Sequence, residues 1–276
     1  MKIKLENINL YDTLFSGQCF RMKEEQDHSF TIVIKDRVIN IKKENVYLVI
    51  NSNKKENLEN VIKEYFDLNY DYEKANTLIA NKDKSLREKI HLCKGYKILK
   101  QDAFEMYITY IISQNNRVSR ISKTVEELSK SYGTKISFNN KNYYLFPTFE
   151  QLKDISQEDL RKFKVGFRDK YIRNALDYLN EHPGYLDKIA DMTTEEALKS
   201  LTSIKGIGTK VASCILLFAY HRFDTFPIDT WVKKYASENF NVKNDIKEIS
   251  KFMKDTFGEY SGLAIQCFYH IERNKS

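Results

Sequence analysis

Lys210 stands where a lysine is not expected. It follows the turn Lys205-Gly206-Ile207-Gly208-Thr209 and opens an apolar run, VASCILLFAY, at 211–220. With Thr209 as N-cap, Lys210 falls in the first turn of a buried helix. The helix's positive end and its apolar surroundings both disfavour an ammonium there. More neutral amine results, and a neutral amine is a nucleophile. The alternative, open at this point, is a lysine that snorkels to solvent from the helix end. Asp229 lies further on, in FPIDTWVKKYA at 226–236, and reads as the N-cap of a helix starting at Thr230-Trp231. Capping alone would account for it. An amine with a carboxylate is also the pair needed to break an N-glycosidic bond. The amine attacks the anomeric carbon, and the carboxylate stabilises the positive charge developing on the sugar or handles protons.

The elements around this pair read as helix, tight glycine turn, helix over 194–220. Gly206 and Gly208 permit positive φ and expose backbone N–H groups. With a helix N-terminus behind them, Gly206, Ile207 and Gly208 form an anion site suited to a DNA phosphate, a helix-hairpin-helix. A plain turn between two helices is the competing reading. Upstream, residues 28–50 alternate: Phe30, Ile32 and Ile34, then Ile39 and Ile41, then Val46, Leu48 and Ile50. Asp36-Arg37 and 43–45 read as turns, giving a small antiparallel sheet with one buried face. Helical spacing begins near Leu58 and, from about residue 101, continues almost to the end. The expected architecture is α+β, with a β-rich domain at 1–95 and a helical domain at 96–276.

The chain has 276 residues, 42% of them hydrophobic and 13% aromatic, which is enough for a real core. Its net charge of +7 favours a polyanionic partner. Cys19, Cys93, Cys214 and Cys267 are scattered, so no CxxC pair or cluster-binding spacing appears and four free thiols are expected. The N-terminus MKIKLENINLYD lacks the apolar stretch of a signal peptide, and the longest apolar run is too short to span a bilayer. A soluble, cytoplasmic, nucleoid-associated monomer is expected.

GIGTKVASC at 206–214 followed by PID at 227–229 resembles the helix-hairpin-helix DNA glycosylase superfamily. Within it, the chain resembles the 8-oxoguanine DNA glycosylase family. Four further segments carry that resemblance: SGQCFR at 16–21, KILKQDAFEMYITYIISQNNRVSRI at 97–121, FKVGFRDKYI at 163–172 and FGEYSGLAIQCFYH at 257–270. The resemblance implies a bifunctional glycosylase and abasic-site lyase acting on 8-oxoguanine in duplex DNA. Lys210 would be its Schiff-base nucleophile and Asp229 its carboxylate. Gly17 would offer a carbonyl to the N7–H that distinguishes 8-oxoguanine from guanine. Cys214 would pack on one face of the flipped base, with Tyr269 or Phe268 on the other.

Asn115, Arg120 and Arg168 match residues that contact the cytosine left behind, with Asn116 helping to fill the gap. The alternative for either arginine is a phosphate contact or a surface charge. Phe167 replaces a common tyrosine, and Trp231 stands where a phosphate-binding histidine is often found. The family's base-reading glutamine aligns with Ile265, so either Ile265 or its neighbour Gln266 faces the base. No cofactor or catalytic metal is implied, although hairpin carbonyls could hold a cation that bridges to phosphate. Two rivals remain: a monofunctional glycosylase for alkylated bases, disfavoured by Lys210, and a non-catalytic DNA-binding module, which leaves the Lys210–Asp229 pair unexplained.

Overall fold

The computed structural model describes residues 1–240 and 242–273. Five strands, β1 (Lys2–Lys4), β2 (Met22–Glu24), β3 (Phe30–Ile34), β4 (Arg37–Glu44) and β5 (Tyr47–Ser52), form an antiparallel sheet in the order β1-β5-β4-β3-β2. Ile34 pairs with Arg37 and Glu44 with Tyr47, so both central hairpins close through two residues. Arg37 therefore belongs to a strand and not to a turn. Lys35 and Asn45 supply the left-handed backbone of these turns, with φ of 43° and 54°.

The alternation holds, but β3 is buried on both faces. Phe30, Ile32 and Ile34 join Ile39, Ile41, Leu48 and Ile50 in one core, completed by Leu14, Ile62 and Phe66. Val33 and Val38 point the other way and meet Phe138. Phe138 comes from a second hairpin, β6 (Lys135–Phe138) and β7 (Lys141–Tyr144), which interrupts the helical region. The expectation of one buried face is corrected by this cover.

The remaining chain is largely helical. The Thr209–Tyr220 helix packs against both Ala103–Ser113 and Thr194–Thr202, and Thr230–Phe240 packs on Ser261–Arg273. Thr193 begins the Thr194–Thr202 helix with a capping box to Glu196. The core runs through Tyr107, Ile215, Leu216, Tyr235 and Phe268, all fully buried. Tyr72, Ile79, Leu86 and Cys93 belong to this core, whereas Leu58 and Ile62 belong to that of the sheet. The segment between the sheet and residue 95 is thus shared between the two. Among the described residues, no helix is long and apolar enough to cross a membrane, and all four cysteines are free and buried.

Candidate active site

The hairpin joins Thr194–Thr202 to Thr209–Tyr220. Gly206 has φ of 105°, and a Cβ there would stand 2.5 Å from both Cβ and Cγ of Tyr171. Backbone and space both require glycine at this position. Gly208 is different: its φ is −87° and it, not Thr209, is the N-cap. The expected positive φ therefore occurs only at Gly206. Ile207 is buried and its N–H donates to the Ile204 carbonyl at 2.9 Å. It packs the turn from inside and has no N–H left for an anion. The Gly206 carbonyl accepts from Gln114 Nε2 at 2.9 Å, which ties the hairpin to the loop carrying Asn115. The first N–H groups of the Thr209–Tyr220 helix have no partner within it and form the anion-seeking end.

Lys210 is in the first turn of that helix, as expected, yet it is exposed. Burial begins only at Val211, because the helix end projects to the mouth of a cavity. The burial anticipated for Lys210 is therefore absent. Its Nζ lies 5.7 Å from the centroid of the Tyr110 ring. Cys214, one turn on, is buried; burial pushes its thiol pKa up, and the Lys210 charge and hydrogen bond oppose this. Asp229 caps the Thr230–Phe240 helix, its Oδ1 accepting from Val232 N–H at 2.9 Å. Burial raises its carboxyl above the ordinary 3.8, while the Val232 bond and the Lys210 charge pull the other way. Lys210, Cys214 and Asp229 line one cavity of about 610 Å³, a size suited to a small organic group.

Gly17, Gln266 and Tyr269 line the same cavity. Gly17 has φ of 84°, and a Cβ on it would meet the Tyr269 hydroxyl at 3.3 Å. Its neighbour Gln18 is fully buried and locks the loop. Gln18 Nε2 donates to the carbonyls of Thr13 and Lys97, both at 2.8 Å, and Gln18 Oε1 accepts from Leu99 N–H at 2.8 Å. Gln101 Nε2 donates to the Gln18 carbonyl at 2.7 Å. On the last helix, Gln266 faces the cavity and accepts from the Tyr96 hydroxyl at 3.2 Å, while Ile265 is in the core. Phe268 does not face the cavity. It is fully buried and stacks on Tyr235 at 4.7 Å, on the opposite side of the helix from a base, so Tyr269 is the aromatic available there.

Asn115 is exposed at the cavity rim with φ of 46°, a left-handed conformation that asparagine tolerates. Asn116 also lines the cavity, with its amide donating to the Ile112 carbonyl at 3.1 Å. Arg168 is buried, and its guanidinium donates to the carbonyls of Gln114 (2.7 Å), Val165 (2.9 Å) and Asn115 (2.9 Å). Here it holds the Asn115 loop, and its fork is not presented to a base. Arg120 is exposed, and close enough to lower the Arg168 pKa behind the larger effect of burial. Trp231 lines the cavity. Sequence reasoning missed Tyr96 and Tyr110, since both lie in apolar surroundings that look like ordinary core.

The chain matches two family models: "8-oxoguanine DNA glycosylase, N-terminal domain" over residues 1–107, and "HhH-GPD superfamily base excision DNA repair protein" over 108–257. The solved structure of MBOgg1 with a low-affinity DNA ligand is 36% identical, covers 99% of this chain and 95% of that one, and superposes with a TM-score of 0.94. The Clostridium acetobutylicum 8-oxoguanine glycosylase/lyase, bound to duplex DNA with cytosine opposite 8-oxoguanine, is 30% identical over 100% and 98% of the two chains, with a TM-score of 0.92. The N-glycosylase/DNA lyase OGG1 of Arabidopsis thaliana is 26% identical over 99% of this chain and 79% of its own. The antiparallel sheet followed by a helical body agrees with these matches, and the chain belongs to the 8-oxoguanine DNA glycosylase family of the helix-hairpin-helix base excision repair superfamily.

Proposed function

We propose that this protein excises 8-oxoguanine from duplex DNA and then nicks the strand, with Lys210 as nucleophile. The observation that carries the reading is the meeting of Lys210, Cys214 and Asp229 in one cavity beside the hairpin. The damaged nucleotide is flipped out of the stack into this cavity. The Lys210 amine, in its deprotonated form, attacks the sugar C1′, and the base leaves with the electron pair of the glycosidic bond. The Asp229 carboxylate stabilises the positive charge that develops on the sugar. Opening of the sugar ring gives an imine between Lys210 and C1′. Loss of a C2′ proton then expels the 3′ phosphate by β-elimination.

Gly17 reads N7–H, Gln266 reads the Watson–Crick edge, and Cys214 and Tyr269 hold the two faces of the base. Asn115, Asn116 and Arg120 meet the cytosine side, with Arg168 fixing their loop. Gly206, Gly208 and the helix start hold a backbone phosphate. The same reading has the protein acting as a monomer on nucleoid DNA, and its net charge of +7 suits that polyanion. The test is borohydride trapping with a duplex containing 8-oxoguanine opposite cytosine. A covalent adduct is expected with the parent and none with Lys210→Gln. Base release without an adduct would replace the amine with a water mechanism at Asp229; tight binding without either would leave a DNA-binding module.

A further inference from the structure

Lys97 carries an ammonium that the fold does not pair. Only 6% of the residue is exposed, and among the described residues no hydrogen bond or salt bridge reaches its Nζ. The Nζ lies over the face of the Tyr72 ring, 4.1 Å from the centroid. Burial pushes its pKa down, and the charges of Asp67, Glu73 and Asp71 oppose this from a distance. Each of these carboxylates is engaged elsewhere. Asp67 accepts from the Tyr72 hydroxyl at 2.8 Å, and Glu73 accepts from the Asn7 amide. Asp71 caps the Tyr72–Ala80 helix, accepting from Lys74 N–H at 2.9 Å. A buried ammonium with unfilled donors is costly, so its place calls for an acceptor supplied from outside.

The ammonium is not sealed in the core. It opens onto a cavity of about 450 Å³ that shares no lining residue with the one holding Lys210. Arg87, His91 and Lys94 stand exposed around this cavity, and the Asn76 amide adds an uncharged donor. Arg87, Lys94 and Lys97 bring full positive charges from three positions on its wall, against the single carboxylate of Glu73. We propose that this cavity is a binding site for a phosphate group, with Lys97 as its buried anchor and Arg87 and Lys94 at its mouth. A phosphate takes N–H donors from several directions at once, and its double charge suits the cationic excess of the lining. Two sources present such a group, a small phosphorylated molecule and the backbone of DNA, and the test separates them.

Lys97→Met keeps the length of the stem over Tyr72 and removes the charge. The variant and the parent are titrated with inorganic pyrophosphate by calorimetry, in phosphate-free buffer, and with an undamaged duplex by fluorescence anisotropy. The anion-seeking helix start at the hairpin is present in both proteins and cancels in the comparison. Loss of a charged hydrogen bond predicts pyrophosphate binding weaker by roughly 10- to 100-fold. Unchanged duplex affinity then assigns the site to a small phosphorylated molecule, and a matching loss of duplex affinity assigns it to the DNA backbone. Arg87→Gln, at the exposed mouth, weakens the same binding by about 2- to 5-fold and keeps the test open if Lys97→Met does not fold. Equal titrations of parent and variants with both probes overturn the proposal. So does a fall of more than about 4 °C in the melting temperature of Lys97→Met, which would mean that the ammonium is already satisfied within the protein.

Discussion

The two hairpin glycines make opposite predictions on substitution. Gly206→Ala places a methyl group 2.5 Å from Tyr171 Cβ and Cγ, on a backbone with φ of 105°. The conformation alone costs an L-residue about 1–2 kcal/mol. Forcing a methyl into filled space adds about 1–3 kcal/mol, because the clash is with the root of Tyr171 and no flexible tip can give way. The sum is about 2–5 kcal/mol, and at roughly 2–4 °C per kcal/mol for a chain of this size the melting temperature falls by about 4 °C or more. Gly208→Ala meets nothing within 4 Å and has an ordinary φ of −87°. It leaves the melting temperature unchanged but costs DNA affinity, because its methyl would stand where the proposed function has a phosphate approach. The assay is thermal unfolding by circular dichroism, paired with fluorescence-anisotropy titration of an undamaged duplex. A Gly206→Ala variant melting within about 2 °C of the parent would refute the steric reasoning, since relaxation on that scale leaves no room for a clash of this size.

Other perturbations separate chemistry from folding. Asp229→Asn keeps the helix cap but removes the charge, so base release drops by about 10²–10³-fold while the fold is retained. Because burial raises the folded carboxyl above 3.8, its ionisation opposes folding as pH rises; Asp229→Asn is at least as stable as the parent at neutral pH, and the difference shrinks as pH falls through the carboxylate range. For the same reason the acid limb of base release lies above pH 3.8, measurable as a single-turnover pH profile. Glu105 is buried beside Arg21, and burial raises its carboxyl from 4.5 to about 7. Stability is therefore lost as pH rises from the lower value to the higher, by about 3 kcal/mol at most, and Glu105→Gln removes that slope in urea titrations at several pH values. Phe268→Ala destabilises by about 3–5 kcal/mol as a core truncation, whereas Tyr269→Ala leaves the melting temperature nearly unchanged and weakens base release.

The candidate pair, Lys210 and Asp229, was legible because both residues sit at helix starts, where sequence signals are strongest. Asp229 does cap its helix. The central strands were equally plain, since Phe30, Ile32 and Ile34 alternate with less apolar neighbours. The edge strands Lys2–Lys4 and Met22–Glu24 have three residues each, too few for any period to show. The Lys135–Tyr144 hairpin is polar along most of its length and is held by packing on Val33 and Val38, a contact between distant segments that no local pattern encodes. Lys210 was misjudged in burial because a helix buried from Val211 onward still has an end. Phe268 and Tyr269 are adjacent, and only the roll of the last helix decides which enters the core. Arg168 reads as a contact to the unpaired cytosine or as a surface charge, yet its three carbonyl partners come from segments brought together by the fold.

On the proposed role of Gly17, Gln18 would set how much a wrong base can be accommodated. Every polar group of its side chain is bound to backbone on either side of the sheet–body junction, and its own carbonyl is held by Gln101. The Gly17 carbonyl next to it therefore behaves as a stiff stop. If that carbonyl reads the base as proposed, a guanine, offering N7 as an acceptor, would meet an oxygen that cannot retreat by the few tenths of an ångström that would ease the repulsion. Discrimination on this account is a mechanical tolerance, fixed when the chain folds and independent of how tightly DNA is held. Substitutions that loosen residues 97–101 should then raise the error rate before they lower the turnover.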